Sequence, residues 1–109
     1  MLIQRGDVYW VDLEPTAGSQ QLGRRPCLVM TANPVNARRR TIGIIPLSSS
    51  PQIAPPIVIA IPSVGTQTVA ICDQLRAVDK AKFDRLIGTI TKVELALVEA
   101  SVKAVFGLS

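Results

Sequence analysis

A chain of 109 residues is the size of one domain, long enough for a single core and too short for two. Its 48% apolar share excludes a disordered chain, and no apolar run approaches the roughly 18 residues that span a bilayer. Twelve basic residues against eight acidic ones leave +4, which is ordinary solubility charge unless its placement says otherwise. Eight of the twelve are arginine, whose planar fork suits phosphate; histidine is absent, which removes the usual general acid/base and the commonest metal ligand.

The opening MLIQRGDVYW carries a basic residue but lacks the long apolar stretch and small-residue cleavage site of a secretory signal, so the expected compartment is the cytoplasm. Residues 8–13, 26–32, 41–47 and 57–61 are short runs rich in Val and Ile, each bounded by turn residues, and they predict antiparallel strands. A further strand is predicted over 68–78, where Val69, Ile71 and Leu75 alternate only in part and Asp73, Gln74 and Arg76 interrupt the apolar pattern. A brief turn at 79–83 leads to a last strand at 85–90. The period then changes: Thr91 and Glu94 form a capping box, Val93, Leu97, Ala100 and Val105 with Leu95, Val98 and Val102 clothe a helix, and Gly107 closes it.

The expected fold is therefore mainly β, a single domain over 1–109 made of a small, strongly bent antiparallel sheet or barrel with a carboxy-terminal helix. That helix is apolar on more than one side, which suits packing on its own sheet and on a second copy. Cys27 and Cys72 lie inside apolar runs and are expected to be buried reduced thiols rather than a bridge.

Two polar segments invite a functional reading. In the loop EPTAGSQQLGRRP, Gly18 and Gly23 free the backbone while Ser19, Gln20, Gln21, Arg24 and Arg25 supply donors. It reads either as a phosphate cradle or as a solvated hairpin whose arginines keep an edge soluble. Arg38-Arg39-Arg40 reads as a mobile, solvated turn that steers nucleic acid rather than part of a site, because three adjacent side chains cannot converge on one atom. Trp10 is open to two roles, core residue or stacking platform for an RNA base.

The segments RGDVYWVDLEPTAGSQQLGRRPCLVMTAN, IIPLSS and CDQLRAVDKAKF, in that order and spacing, closely resemble the MazF/PemK/Kid family of bacterial toxins over nearly the whole chain. The first block is the specific one: an RGD start before an apolar strand, a D-x-x-P-x-x-G-S loop and an R-P pair. The resemblance implies an SH3-like small barrel of the MazF/CcdB type and a homodimer. It also implies a ribosome-independent endoribonuclease that cuts single-stranded mRNA without metal or other cofactor, held in check by a small antitoxin; a basic groove would suit an acidic, disordered antitoxin tail that folds as it binds and occupies Arg24 and Arg25.

In such enzymes the ribose 2′-hydroxyl attacks the adjacent phosphorus, so a base, a proton donor and a cation are needed but no activated water. Similarity assigns charge stabilisation to Arg25, before Pro26, and a hydroxyl near the scissile phosphate to Ser48, where many members have threonine. Gln20 is the departure. It stands where many members place a glutamate base, and an amide has no useful basicity. Kid-like members use the aspartate of the CDQ segment instead, here Asp73; their partner arginine two residues earlier is Ile71 in this chain, leaving Arg25 as the cation. Read without the family, Asp73 is a turn cap or a partner of Arg76, Gln74 a solvated strand residue and Glu14 a solvated turn residue. RNA binding would fall to Ser19, Arg24, Gln74 and Arg76. Two alternatives stay open: a catalytically weakened RNA-binding relative with Gln20 as its scar, and a CcdB-like gyrase poison acting through Phe106-Gly107-Leu108, whose aromatic otherwise only packs.

Overall fold

The computed structural model describes residues 2–13, 23–49 and 54–109, so Glu14, Gly18, Ser19, Gln20 and Gln21 lie outside the described residues. Strands β1 (Asp7–Asp12) and β2 (Arg24–Val29) pair antiparallel, Val8 opposite Leu28 through to Asp12 opposite Arg24. β2 in turn pairs with β3 (Thr41–Ser48), Cys27 facing Pro46 and Val29 facing Ile44. The other edge of β3 is shared. Its first half takes β6 (Arg76–Asp79), and its end takes β5 (Val69–Ile71). β4 (Val58–Ala60) extends the sheet beyond β5, and β7 (Phe83–Thr89) borders β1 with two register shifts. The order is β4-β5-β3-β2-β1-β7, with β6 on β3; the sheet is barrel-like but, among the described residues, does not close.

Alternation along the strands sends side chains to two cores. On one face Tyr9, Val11, Cys27, Val29, Ile42, Ile44, Val78 and Phe83 pack together, Tyr9 meeting Phe83 edge-on at 5.4 Å. The opposite face, with Val8, Leu28, Ile45, Leu47, Ala70 and Cys72, is covered by α2 (Lys92–Phe106) through Val98. Burying those aliphatic side chains stabilises the fold by about 1.5–3 kcal/mol each.

The RGD start is a structural knot. Arg5 donates from Nε to the Met30 carbonyl at 2.9 Å and pairs with Glu99 of α2 at 2.5 Å, while its N–H reaches the Asn33 side chain at 2.7 Å. Gly6 sits at φ +93, a region costly to any side-chain-bearing residue; there its N–H meets the Val29 carbonyl and its carbonyl accepts from Ile90. Asp7 accepts from Gln4 N–H at 3.1 Å and from the Thr89 hydroxyl at 2.9 Å. Three consecutive residues thus tie β2, β7 and α2 to the start of β1.

Two features depart from the sequence reading. The strand expected over 68–78 is split by a 3-10 turn at Cys72–Gln74. From Leu47–Ala70 to Ile44–Arg76, three steps along β3 match six along its partner, and the surplus is looped out. Cys72 thereby enters the core beneath α2 while Val78 enters the other. The stretch read as a mobile arginine turn instead ends a short helix, α1 (Asn33–Arg38), with Pro34 in its first turn and Asn36 buried, its amide donating to the Thr31 carbonyl at 2.8 Å. Six residues are too few for helical periodicity to show. The expected turn after β6 is a 3-10 turn at Lys80–Lys82 capped by Asp79, and the last strand begins two residues earlier than expected.

The capping box predicted at Thr91 is present, and its Glu94 does more than cap. Burial alone would raise its carboxyl pKa, but Ser63, through its N–H at 3.0 Å and its hydroxyl at 2.5 Å, and Thr91, through its N–H at 2.8 Å, outweigh that and hold it below the ordinary 4.5. Glu94→Ala should destabilise the protein by about 1–3 kcal/mol at neutral pH. Because the folded state favours the carboxylate, that advantage is full above the ordinary value and fades as pH falls through the depressed one. Denaturant unfolding of both proteins from pH 7 downward should show the two curves converging at acid pH; a constant gap would mean that the carboxylate charge is not what stabilises.

Candidate active site

Where β1, β2 and β3 end together, an open cleft of about 570 Å³ is lined by Trp10, Arg24, Arg25, Pro26, Leu47, Ser48, Ser49 and Thr68. Gly23, at φ +79, turns the chain into β2, its carbonyl accepting from Leu13 N–H at 3.2 Å. Pro26 follows Arg25 and holds that residue extended. The Arg25 guanidinium then crosses to β3, donating from Nη2 to the Leu47 carbonyl at 3.0 Å. Ser48 ends β3 opposite Val69, and continuing the Cys27–Pro46 register brings Arg25 alongside it. Arg24 is turned outward to Asp84 at 2.7 Å, with both side chains about half exposed, a pair contributing about 0–1 kcal/mol.

Arg25, Cys27 and Val29 share one face of β2, and Arg76 pairs with Ile44 on the same face two strands away. Both guanidinium groups act on the Cys27 thiol electrostatically. Burial pushes that thiol up to about 12, while Arg25 and Arg76 pull only partly the other way. Cys72 is also raised, chiefly by burial, with Asp73 adding to it and Ser101 opposing. Both cysteines are free and buried, so neither offers a thiolate at neutral pH.

Asp73 and Gln74 do not line the cleft; they lie exposed in the Cys72–Gln74 turn, which sits between the two pairings of β3. Neither side chain makes a hydrogen bond or ion pair among the described residues, so Asp73 neither caps its turn nor pairs with Arg76. The structure gathers Arg24, Arg25 and Ser48 into one cleft, places Arg76 on the Arg25 face, and sets Asp73 and Gln74 further along the same edge of β3. Ser19 and Gln20 belong to the undescribed loop. Ser49 ends the IIPLSS segment but was given no role in the sequence reading; Thr68 belongs to no motif, and only the β3–β5 register brings it in. Trp10 is half-buried on the cleft wall, and Phe106 is 46% exposed rather than packed.

These features have counterparts. Residues 4–106 match the family described as the PemK-like, MazF-like toxins of type II toxin-antitoxin systems. The chain is 28% identical over 103 residues to the endoribonuclease toxin MazF of Escherichia coli K12, covering 94% of this chain and 92% of the other. It is 32% identical over 99 residues to endoribonuclease EndoA of Bacillus subtilis, covering 86% and 83%. Among solved structures, a MazE–MazF crystal structure from Deinococcus radiodurans aligns over 100% of both chains with a TM-score of 0.83 at 23% identity. A mycobacterial endoribonuclease in complex with its cognate antitoxin aligns over 99% and 96% with a TM-score of 0.80 at 20% identity. With nearly its whole length matched, this chain belongs to the PemK-like, MazF-like toxin family.

Burial of the two thiols has a direct readout. At pH 8 Cys27 in the native protein should react with a thiol-selective reagent at least about 100-fold more slowly than in the unfolded chain, since a thiol near pKa 12 is almost wholly protonated there, and Cys72 should also be slowed. Rapid labelling of Cys27 in the native state would show that the arginines, not burial, set its protonation.

Proposed function

We propose that this chain is the toxin of a type II toxin-antitoxin pair, a metal-independent endoribonuclease that cuts single-stranded mRNA at short sequences. The observation that carries it is the Arg25 guanidinium, held by the Leu47 carbonyl at the mouth of a polar cleft beside Ser48, in a family whose curated relatives are named endoribonucleases. A guanidinium fixed at a strand end is ready to receive charge as it develops, without first reorganising.

In the reaction, the 2′-oxygen forms a bond to the adjacent phosphorus and the bond from phosphorus to the 5′-oxygen breaks. A 2′,3′-cyclic phosphate and a 5′-hydroxyl result. The 2′ proton passes to a carboxylate, for which Asp73 is the candidate because it stands where Kid-like members have their base, on the exposed turn along the β3 edge from Ser48 rather than in the cleft itself. The departing 5′-oxygen takes a proton from water in the cleft while Arg25 balances the phosphoryl charge and the Ser48 hydroxyl donates to a phosphate oxygen. Arg24, Arg76, Gln74 and the loop residue Ser19 hold the strand, Trp10 and the arginine planes giving bases a surface to stack on. Gln20 orients by hydrogen bonding only.

The same reading assigns the partners. The exposed Val93 (71%) and Leu97 (51%) of α2 suit a second copy of the chain, and an acidic antitoxin tail folding over Arg24 and Arg25 would exclude RNA. We place the protein in the cytoplasm, where Cys27 and Cys72 stay reduced.

Purified protein should cut a defined single-stranded RNA in EDTA and leave cyclic-phosphate and 5′-hydroxyl ends, identified by mass spectrometry. Intact RNA, or fragments with a 3′-hydroxyl, would sink the proposal. Arg25→Ala and Asp73→Ala should each lower single-turnover cleavage by about 10²- to 10⁴-fold, and Gln20→Ala by far less. Equal, mild losses from Asp73→Ala and Gln20→Ala would place the base elsewhere.

A further inference from the structure

Five cations gather at the end of the sheet remote from the cleft. Arg38 ends α1, Arg39 caps it with its N–H on the Val35 carbonyl at 2.9 Å, and Arg40 leads into β3. Lys80 meets them across the sheet, its N–H donating to the Arg40 carbonyl at 2.7 Å beside the Thr41–Asp79 pair. Lys82, in the same 3-10 turn, acts on Asp79 electrostatically. Asp79 lies among them, 3.4 Å from the Arg40 guanidinium. Arg38, Arg39 and Lys80 have no ion pair among the described residues.

The placement of charge, rather than its total, is informative. These five cations and Asp79 carry +4, the whole net charge of the chain, while the seven other basic residues are matched by seven acidic ones. A helix carboxyl end accounts for Arg38 through the peptide dipole, and solubility is served equally well by scattered charge. Like charges crowded on one edge repel and work against the compact state, so the arrangement calls for an anion from outside. The place is also suited to a strand already held elsewhere. β3 runs from Thr41 beside this patch to Ser48 in the cleft, a span of about 23 Å at about 3.3 Å per residue.

We propose that Arg38, Arg39, Arg40, Lys80 and Lys82 form a second binding site for single-stranded RNA, gripping phosphates of the strand outside the segment held in the cleft. The inference rests on the reading of the cleft as an RNA-cutting site. Arg38 and Arg39 flank a hollow of about 310 Å³ floored by Pro34 and Val35, where a base has an apolar surface to lie on while the guanidinium groups take phosphates. Single-stranded RNA is favoured over an acidic polypeptide because the cations are spread along an edge and served by that apolar hollow, a pattern that follows a sugar-phosphate chain.

The test uses two labelled RNAs, one of about five nucleotides, short enough for the cleft alone, and one of about twenty that reaches both sites. Each is made with ribose for cleavage and with 2′-deoxyribose throughout for binding by fluorescence anisotropy. The triple variant R38Q/R39Q/K80Q leaves the Arg40–Asp79 pair and Lys82 in place. It should bind the long strand about 100-fold more weakly near 0.1 M salt, with the slope of log affinity against log salt shallower by about 2, as expected for three lost contacts at about 0.7 each. It should bind and cut the short RNA as the wild type does, and melt no lower, which excludes misfolding as the cause. Unchanged long-strand affinity and slope would overturn the proposal, as would tighter binding of polyglutamate than of the long strand through these same residues. If the wild type cuts neither ribose strand but binds the long one through this patch, the reading of the cleft fails and the second site stands.

Discussion

Strand β3 is the constraint on which the rest of the structure depends. Among the described residues one edge is used by β2 alone, while its other edge is divided between β6 and β5, which meet it in registers that differ by the three residues of the Cys72–Gln74 turn. That division bends the sheet, because one partner of β3 continues toward each core. It also sets the site: Ser48 and the Leu47 carbonyl that holds Arg25 are the last residues of β3, and Asp73 rides on the turn that the register mismatch forces out. The curvature and the position of Asp73 are here consequences of the same mismatch.

The Arg5-Gly6-Asp7 knot fixes β3 from a distance. β3 is aligned through β2, β2 is anchored at Val29 and Met30 by Gly6 and Arg5, and Arg5 also holds α2 through Glu99. A surface ion pair such as Arg5–Glu99 contributes little by itself. Its effect is positional, since the same side chain satisfies a strand-end carbonyl and a helix at once. The RGD start, one part of the family's characteristic first block, therefore does structural work well away from the cleft, while the R-P pair and the end of IIPLSS line the cleft and Thr68, which also faces it, carries no motif.

Legibility followed the range of the interactions involved. β1, β2 and β3 were readable because their apolar runs are bounded by local turn chemistry, and α2 because a capping box is written within four residues, Thr91 to Glu94. The break at Cys72–Gln74 was not, since it arises from how far β3 slides past two partners, a relation between segments some thirty residues apart. α1 escaped for a different reason: its stability comes from Asn36 bonding back to Thr31 and Asn33 to Arg5, not from a periodic apolar face. In the site, Arg25 and Ser48 stand out in sequence as family positions, but the cleft wall formed with Thr68 depends on β5 arriving opposite Ser48. Gln20 stays a sequence observation, since the loop that carries it lies outside the described residues.

The electrostatics of Cys27 bear on what the arginines are for. Two guanidinium groups beside a thiol would ordinarily lower its pKa and produce a thiolate, which would then neutralise part of their charge. Burial between β1 and β3 prevails instead, keeping Cys27 protonated up to about 12. The positive charge of Arg25 and Arg76 is therefore not cancelled by the Cys27 thiol, and neither arginine has an ion pair among the described residues. A phosphate entering the cleft meets in Arg25 a cation held in place by the Leu47 carbonyl.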